Sequence, residues 1–557
     1  MGQKHLELFM TSFFKKHYIL IILFSIFLIG AFLRFYKLNE IPNGLHLDEA
    51  INGVNAYSIL HTGKDSNNNW LPLQTEVFGD YNPTGYSYLT IFPIKFLGLN
   101  EFSTRFAGAL LGSLTVLAIF LLVLSIFKNK TIGLLSALLV AINPWHIVLS
   151  RSSEETLVSL FFVTLGFALV FLSFEKQKIR FLILGVLLLT ISYFMYFTPR
   201  VFIPLLFLSI LIFIFNFWQK SVKYRNLIFC SFVILAITAF YLVFVVSGGG
   251  NRFNQVSVFG SLGAKLIMQE QIREDGVSGT NVKITQSFHN KFTNYSLVFI
   301  SNYLDYFSGG FLFIKGGLPP WFKVEGMGLI YLAELPFLLT GLIILAKDKS
   351  RAYKIPLLWL FIAPITAAVT IDDIPNVRRS LFMLPALELI SAFGFWYVLQ
   401  NRKRFLKQLI IYASAIVLIC NFLYFFHQYF IHAPIHANWF RNEGFREMIK
   451  TVEASYNKID KVIVTKGAGG IYPLVLFYMQ YDPKLYHSEG TSKDREYTGF
   501  GKFFFVPQSC PSQQKDNRFP KTEKAIYIDK GDCKNVNQNT KTIYRKDGSR
   551  VFNIIYE

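Results

Sequence analysis

Long apolar runs alternate with short polar connections along most of this chain. A hydrocarbon core about 30 Å thick needs roughly 20 apolar residues at 1.5 Å rise each. By that measure the runs at 17–35, 105–127, 131–149, 156–175, 180–197, 201–218, 227–246, 328–346, 355–370, 380–400 and 408–430 predict about eleven transmembrane helices. The connections differ in charge by turns. One set carries Lys4, Lys15, Lys16, Lys128, Lys130, Lys176, Lys178, Arg180, Lys220, Lys223, Arg225, Lys347, Lys349, Arg351, Lys354, Arg402, Lys403, Arg404 and Lys407. The intervening short loops carry only Arg151, Arg200, Arg378 and Arg379. The positive-inside bias therefore predicts a cytoplasmic N-terminus, and an odd number of crossings an extracytoplasmic C-terminal region.

Three segments are too long to be turns, and all three fall on the predicted outer side. In 36–104, Asp48–His61 has helical spacing with one apolar stripe (Ala50, Val54, Tyr57, Leu60) and a stop at Gly63. That helix and the run Tyr86–Leu97, interrupted by Pro93, are expected to lie in the membrane interface. The segment 247–327 opens on Gly248–Gly249–Gly250 and holds a polar stretch, Leu262–Arg273, and an aromatic run, Tyr303–Phe313. In the tail, Phe445, Met448, Ile449 and Val452 keep helical spacing. Strand-like runs follow at Lys461–Thr465, Phe503–Val506, Ala525–Asp529, Lys541–Tyr544 and Val551–Ile555. The expected fold is thus mainly α: a polytopic membrane domain over 1–430 with interfacial helices in its outer loops, then a small extracytoplasmic α/β domain over 431–557. No internal repeat marks a transporter built from paired halves.

Composition narrows the class. A mean hydropathy of +0.39 excludes a soluble globular protein. The net charge of +20 sits mostly in the predicted cytoplasmic loops, where it orients the chain and meets anionic lipid, so nucleic acid is not an expected partner. The first run is too long for a cleaved signal, and no small-residue cleavage pattern follows it. Cys230 and Cys420 fall inside apolar runs, whereas Cys510 and Cys533 share the tail and are a candidate disulfide. No Cys-x-x-Cys or His-x-x-x-His spacing is read as a metal site.

The charges that draw attention stand at the outer ends of runs. Asp48 and Glu49 open a helix, where successive side chains point about 100° apart, so at most one of them faces a given reacting atom and the other supports it. Both also fit ordinary helix-start preferences. Glu154 and Glu155 follow Asn143–Pro144–Trp145–His146 and Arg151, again at a helix start. Arg200, Arg378 and Arg379 occupy tight outer turns. Guanidinium groups grip phosphate oxygens bidentately, although arginines at a membrane edge also serve as anchors.

With these residues the chain resembles a family, the GT-C class of membrane glycosyltransferases that use polyprenyl-phosphate sugars, to which the protein O-mannosyltransferases and the lipid A aminoarabinose transferase belong. The resemblance is carried by His46–Leu47–Asp48–Glu49–Ala50, by Arg105–Phe106 with Gly108, and by Asn143–Pro144–Trp145–His146 through Ser150–Arg151 to Glu155. It continues in Tyr303–Phe313, Gly326–Met327–Gly328, Glu334–Leu335–Pro336, Arg379 with Pro385, and Leu476–Phe477–Tyr478 before Asp482–Pro483. Asn82–Pro83–Thr84 and Pro320–Trp321–Phe322–Lys323 depart from the family's look, and both lie in the segments expected to meet an acceptor. No Trp-Trp-Asp motif points to the oligosaccharyltransferase branch.

The resemblance implies that Asp48 and Glu155 are the catalytic carboxylates, with Glu49 and Glu154 as supporting acids. Arg379, Arg200 and Arg378 would hold the donor phosphate. The implied reaction is inverting transfer of a sugar from a polyprenyl-phosphate donor to a hydroxyl of a protein, lipid or glycan acceptor, on the extracytoplasmic face of the cell membrane. It requires no cofactor, and a divalent cation is optional. The rival expectation is a membrane transporter or lipid-linked-sugar flippase, which predicts ionisable groups such as Glu334 and Glu388 along a path through the membrane. A third, a receptor or assembly scaffold using the tail, leaves the loop carboxylates without a role.

Overall fold

The computed structural model describes residues 2–557 apart from 78–79, 214–221, 244–256, 261, 401, 437–440, 467–470, 490–498, 515–523 and 535–538. The Gly248–Gly249–Gly250 opening lies outside the described residues. Packing divides the chain into two compact units, one of Met1–Arg34, Leu110–Leu149 and Thr156–Phe425, the other of Phe35–Ala109, Ser150–Glu155 and Phe426–Glu557.

The first unit is helical and makes this a polytopic membrane protein. Among the described residues, 6 helices of the chain are long and apolar enough to cross a bilayer: His17–Phe35, Glu101–Phe127, Glu155–Lys176, Val282–Ile314, Leu381–Leu399 and Arg404–His436. The bent pair Lys130–Ile142 and Pro144–Ser150 brings the number to 7. Four further apolar helices are shorter, Ile179–Met195, Pro199–Phe213, Asn226–Tyr241 and Ala352–Ala368. Pro204 lies inside the second of these, and Pro356 and Pro364 punctuate the last. The run expected at 328–346 is α-helical only over Leu335–Lys347, after a 3-10 turn at Leu332–Glu334. Val282–Ile314, expected in an outer loop, meets the length and composition of a span.

Two features fix the helices of this unit on one another. Leu335–Lys347 and Leu384–Leu399 cross at Gly341 and Gly394, where an added methyl would overlap the backbone of Ile390 or Phe337. Small residues at such crossings let helix backbones meet in lipid, where packing replaces the hydrophobic drive. The bent pair turns by 56° at Asn143. There the Asn143 Oδ1 accepts from His146 N at 2.8 Å and its Nδ2 donates to Glu388 Oε1 at 2.5 Å. Arg34 completes the bend by donating to the end carbonyls of Val140 (3.0 Å) and Ala141 (2.9 Å) and to His146 Nδ1 (2.8 Å). A guanidinium so placed satisfies C-terminal carbonyls that the helix cannot.

The second unit joins the tail to the 35–109 segment. Two short strands expected nowhere in the sequence pattern, β1 (Gln74–Val77) and β2 (Asp80–Pro83), pair antiparallel. The tail sheet comprises β3 (Lys461–Thr465), β4 (Phe503–Val506), β5 (Ala525–Lys530), β6 (Thr540–Tyr544) and β7 (Arg550–Tyr556), in the order β4-β3-β5-β7-β6. β3 runs parallel to β4 and β5, and β7 runs antiparallel to β5 and β6. The β-branched run Val462, Ile463, Val464 sits centrally and is buried on both faces, as parallel strands require. Phe445, Met448, Ile449 and Val452, the one apolar face of the helix Phe445–Glu453, enter the same core as Leu45, Ala50, Val54 and Phe477.

Cys510 and Cys533 are bonded, closing a loop with a sequence separation of 23. Such a closure stabilises by about 2–4 kcal/mol through the unfolded chain. Cys510→Ser is therefore expected to lower the melting temperature of the purified protein, and reductant should produce the same drop in the wild type but none in the variant.

Candidate active site

The helix Leu47–Thr62 opens with a reciprocal cap. His46 Nδ1 accepts from Asp48 N at 3.3 Å, and Glu49 Oε2 accepts from His46 N at 2.9 Å. The helix closes on Gly63 in the left-handed region (φ 72°), where glycine carries no penalty. The two adjacent carboxylates at its start have opposite surroundings. Glu49 points inward and is buried. Arg105 grips it through Nε (3.2 Å to Oε1) and Nη2 (3.1 Å to Oε2), Arg441 Nη1 reaches Oε2 at 3.3 Å, and Ser153 N donates to Oε1 at 3.1 Å. Burial alone would raise the Glu49 pKa, but the Arg105 and Arg441 charges and these hydrogen bonds outweigh it and hold the carboxyl down at about 2.

The cluster ties three stretches of chain together. Arg105 also donates from Nη1 to the carbonyls of Leu38 (3.0 Å) and Pro42 (2.9 Å), and Arg441 Nη2 donates to Ser152 Oγ at 3.1 Å. Burial pushes the Arg441 guanidinium down and Glu49 partly restores it, yet a guanidinium keeps its proton throughout. Arg151 donates to the carbonyls of Tyr36 (2.6 Å) and Ile41 (2.7 Å) and lies 4.9 Å from the Phe430 ring centre. The turn 150–153 packs so closely on the helix behind it that a methyl on Gly108 would stand 2.8 Å from the Ser152 carbonyl oxygen.

Asp48 faces the other way. Its side chain keeps 26% exposure and lines a narrow cleft with Asn52, Asn55, Asn82, Ser87 and Glu155. Asn52 Nδ2 donates to Glu155 Oε1 at 2.8 Å, and Asn52 Oδ1 in turn accepts from Ser87 Oγ at 3.1 Å. The relay fixes which Glu155 oxygen is occupied and leaves the carboxylate at the cleft wall. Glu154 is buried beside it in the turn, and its charge acts on Arg441. Asp48 and Glu155 thus share one cleft, while Glu49 and Glu154 stand behind it. Asn52, Arg105 and Arg441 complete the arrangement. Sequence reasoning gave Arg105 no task beyond the resemblance and passed over the other two, because a lone Asn in a helix and an Arg after a span carry no periodic signal.

The three phosphate candidates belong to the other unit. Arg200 is buried, donates from Nε to the Tyr193 carbonyl at 3.1 Å and stacks 4.7 Å from the Phe197 ring centre. Arg378 lies 5.6 Å from the Phe322 ring centre. Arg379 is more open, with Nη1 donating to Thr370 Oγ1 (2.8 Å) and the Asp372 carbonyl (3.1 Å). The backbone N–H groups of Arg378 and Arg379 both donate to Asn376 Oδ1, which sets the turn.

Comparison with known proteins places this architecture. Residues 24–249 match the family described as dolichyl-phosphate-mannose-protein mannosyltransferase. ArnT from Cupriavidus metallidurans, solved bound to undecaprenyl phosphate, superposes with a TM-score of 0.54 at 11% identity, covering 96% of this chain and 97% of that one. The chain has the GT-C glycosyltransferase fold. The same GT-C fold relates it to the oligosaccharyltransferase of Archaeoglobus fulgidus tethered to an acceptor peptide, with a TM-score of 0.54 at 14% identity over 84% of this chain. The chain spans 64% of that enzyme's length. A second structure of the archaeal enzyme, with an inhibitory peptide and a dolichol-phosphate, gives a TM-score of 0.52 at 14% identity over the same 84% of this chain. No curated protein matches by sequence.

Removing the Glu49 charge leaves two buried guanidiniums facing each other. Glu49→Gln is expected to cost about 3–5 kcal/mol, read as lost thermal stability. Because the folded-state value, about 2, lies below the ordinary 4.5, the Glu49 contribution is complete above pH 4.5 and disappears as pH falls toward 2. Wild type should therefore lose about 3 kcal/mol more than Glu49→Gln across that acid window.

Proposed function

We propose that this protein transfers a sugar from a polyprenyl-phosphate donor to an acceptor hydroxyl, with the chemistry in the cleft that holds Asp48 and Glu155. The observation that carries the reading is the split between neighbouring carboxylates, Glu49 locked in a buried ion cluster and Asp48 presented to the cleft. Asp48 acts as general base, taking the acceptor proton as that oxygen attacks the anomeric carbon. Glu155, oriented by Asn52, binds acceptor hydroxyls or steadies the charge growing on the sugar ring. A single displacement inverts the anomeric centre, since Asp48 receives a proton and forms no bond to the sugar. The departing group is a phosphomonoester on the polyprenol, which Arg379, Arg200 and Arg378 neutralise with no requirement for a metal.

The mannosyltransferase family match and the fold likeness support this class of donor, and ArnT and the archaeal oligosaccharyltransferase were each solved with a polyprenyl phosphate. We place the reaction on the extracytoplasmic face from the loop charge bias.

In vesicles supplied with a panel of labelled polyprenyl-phosphate sugars, Asp48→Asn is expected to reduce transfer by about 10²–10⁴-fold, the span of positioned base catalysis. Transfer at the wild-type rate would remove Asp48 from the mechanism. Arg379→Lys keeps a charge but loses the fork, so it should raise KM for the donor about 10-fold or more and leave that for the acceptor near wild type. Equal losses for both substrates would make Arg379 a structural anchor.

A further inference from the structure

The helices Ile179–Met195 and Val222–Tyr241 enclose a groove of about 340 Å³ on the surface of the membrane unit. Leu182, Val186 and Thr190 line it from the first helix, and Leu227, Ser231 and Ile234 from the second. Leu182 is buried at the floor, whereas Ile183, Leu187 and Ile234 are exposed. The two hydroxyls in the lining are engaged within their own helices. Thr190 Oγ1 donates to the Val186 carbonyl at 2.9 Å, and Ser231 Oγ to the Leu227 carbonyl at 2.9 Å. The groove therefore presents hydrocarbon almost throughout.

Its lining begins at Ile179 and Leu227, each in the first turns of its helix, so it opens where both helices start. That end is basic. Lys178 and Arg180 flank Ile179, Lys176 precedes them, and all three are exposed. Glu175 beside them is shared by Lys176 Nζ at 3.3 Å and Lys128 Nζ at 3.9 Å. From Ile179 to Thr190 the lining rises about 17 Å at 1.5 Å per residue. Half of a hydrocarbon core about 30 Å thick is about 15 Å, the depth of one leaflet.

We propose that the groove holds an acyl chain of an anionic glycerophospholipid from the leaflet at the Lys178 end, with the headgroup phosphate against Lys178 and Arg180. The depth fits a chain of one leaflet, the walls offer a polar ligand nothing, and the cations select the charge of the headgroup. Basic pockets between membrane helices on the cytoplasmic side take anionic headgroups, and the loop charge bias assigns this end to the cytoplasm. The bound lipid is distinct from the sugar donor, whose phosphate falls to Arg379, Arg200 and Arg378 in the intervening loops.

The test offers the full chain in detergent micelles equal amounts of phosphatidylglycerol and phosphatidylcholine, and reads the retained lipid by native mass spectrometry. Phosphatidylglycerol is expected to be favoured roughly 30-fold, about 5-fold for each cation. The Lys178→Gln/Arg180→Gln double variant should lose that preference, and Val186→Trp, which fills the groove, should lose the retained lipid. Equal retention of the two lipids by the wild type overturns the headgroup assignment, and undiminished retention in Val186→Trp overturns the groove. Displacement of phosphatidylglycerol by undecaprenyl phosphate would make this a donor-tail site and also overturn the proposal. Phosphatidylglycerol with a diazirine in its acyl chain, photolysed with the wild type in nanodiscs, needs no variant. Adducts on 179–190 or 227–234 support the site, and adducts only elsewhere refute it.

Discussion

The unit that carries the cleft is organised around one buried anion. Glu49 lies at the start of a helix, where its charge suits the helix dipole, but most of its interactions come from outside that helix. Arg105, Arg441 and the Ser153 backbone converge on its two oxygens from three stretches of chain. A charge removed from water is costly unless every partner is present, so the arrangement is unforgiving. The same constraint sets the direction of Asp48: with Glu49 held inward, its neighbour in the helix must turn toward the cleft.

Much of this was legible in the chain. The helix Asp48–His61 differs from the observed Leu47–Thr62 by one residue at each end, and its stop at Gly63 is where the backbone turns left-handed. The strand Phe503–Val506 was read to the residue, because aromatic and β-branched runs between turn residues have one reading. Spans were harder. The runs expected at 180–197, 201–218 and 355–370 form helices shorter than a full crossing, and Val282–Ile314 mixes enough polar residues to pass for a loop. The β1–β2 pair left no signal, since Gln74, Glu76, Asp80 and Asn82 are not strand formers.

The candidate site was legible in part for a different reason. Acidic pairs at helix starts advertise themselves, and structure sets Asp48 and Glu155 on the cleft wall with Glu49 and Glu154 behind it. Two of the Glu49 partners, Ser153 and Arg441, are far away in sequence, and no local pattern encodes that. Glu334 and Glu388, the two carboxylates that a transport path would need, accept from Tyr331 N (3.1 Å) and from the Asn143 side chain (2.5 Å).

The Arg441–Glu49 contact joins residues 392 apart in sequence. Closing so long a loop in a free chain costs about 5 kcal/mol in entropy. During synthesis the acidic helix is made early and must wait for most of the remaining chain before its cation arrives. Until then Arg105 alone neutralises Glu49. A nascent chain that ends before residue 441 therefore lacks one of the two cations that hold Glu49.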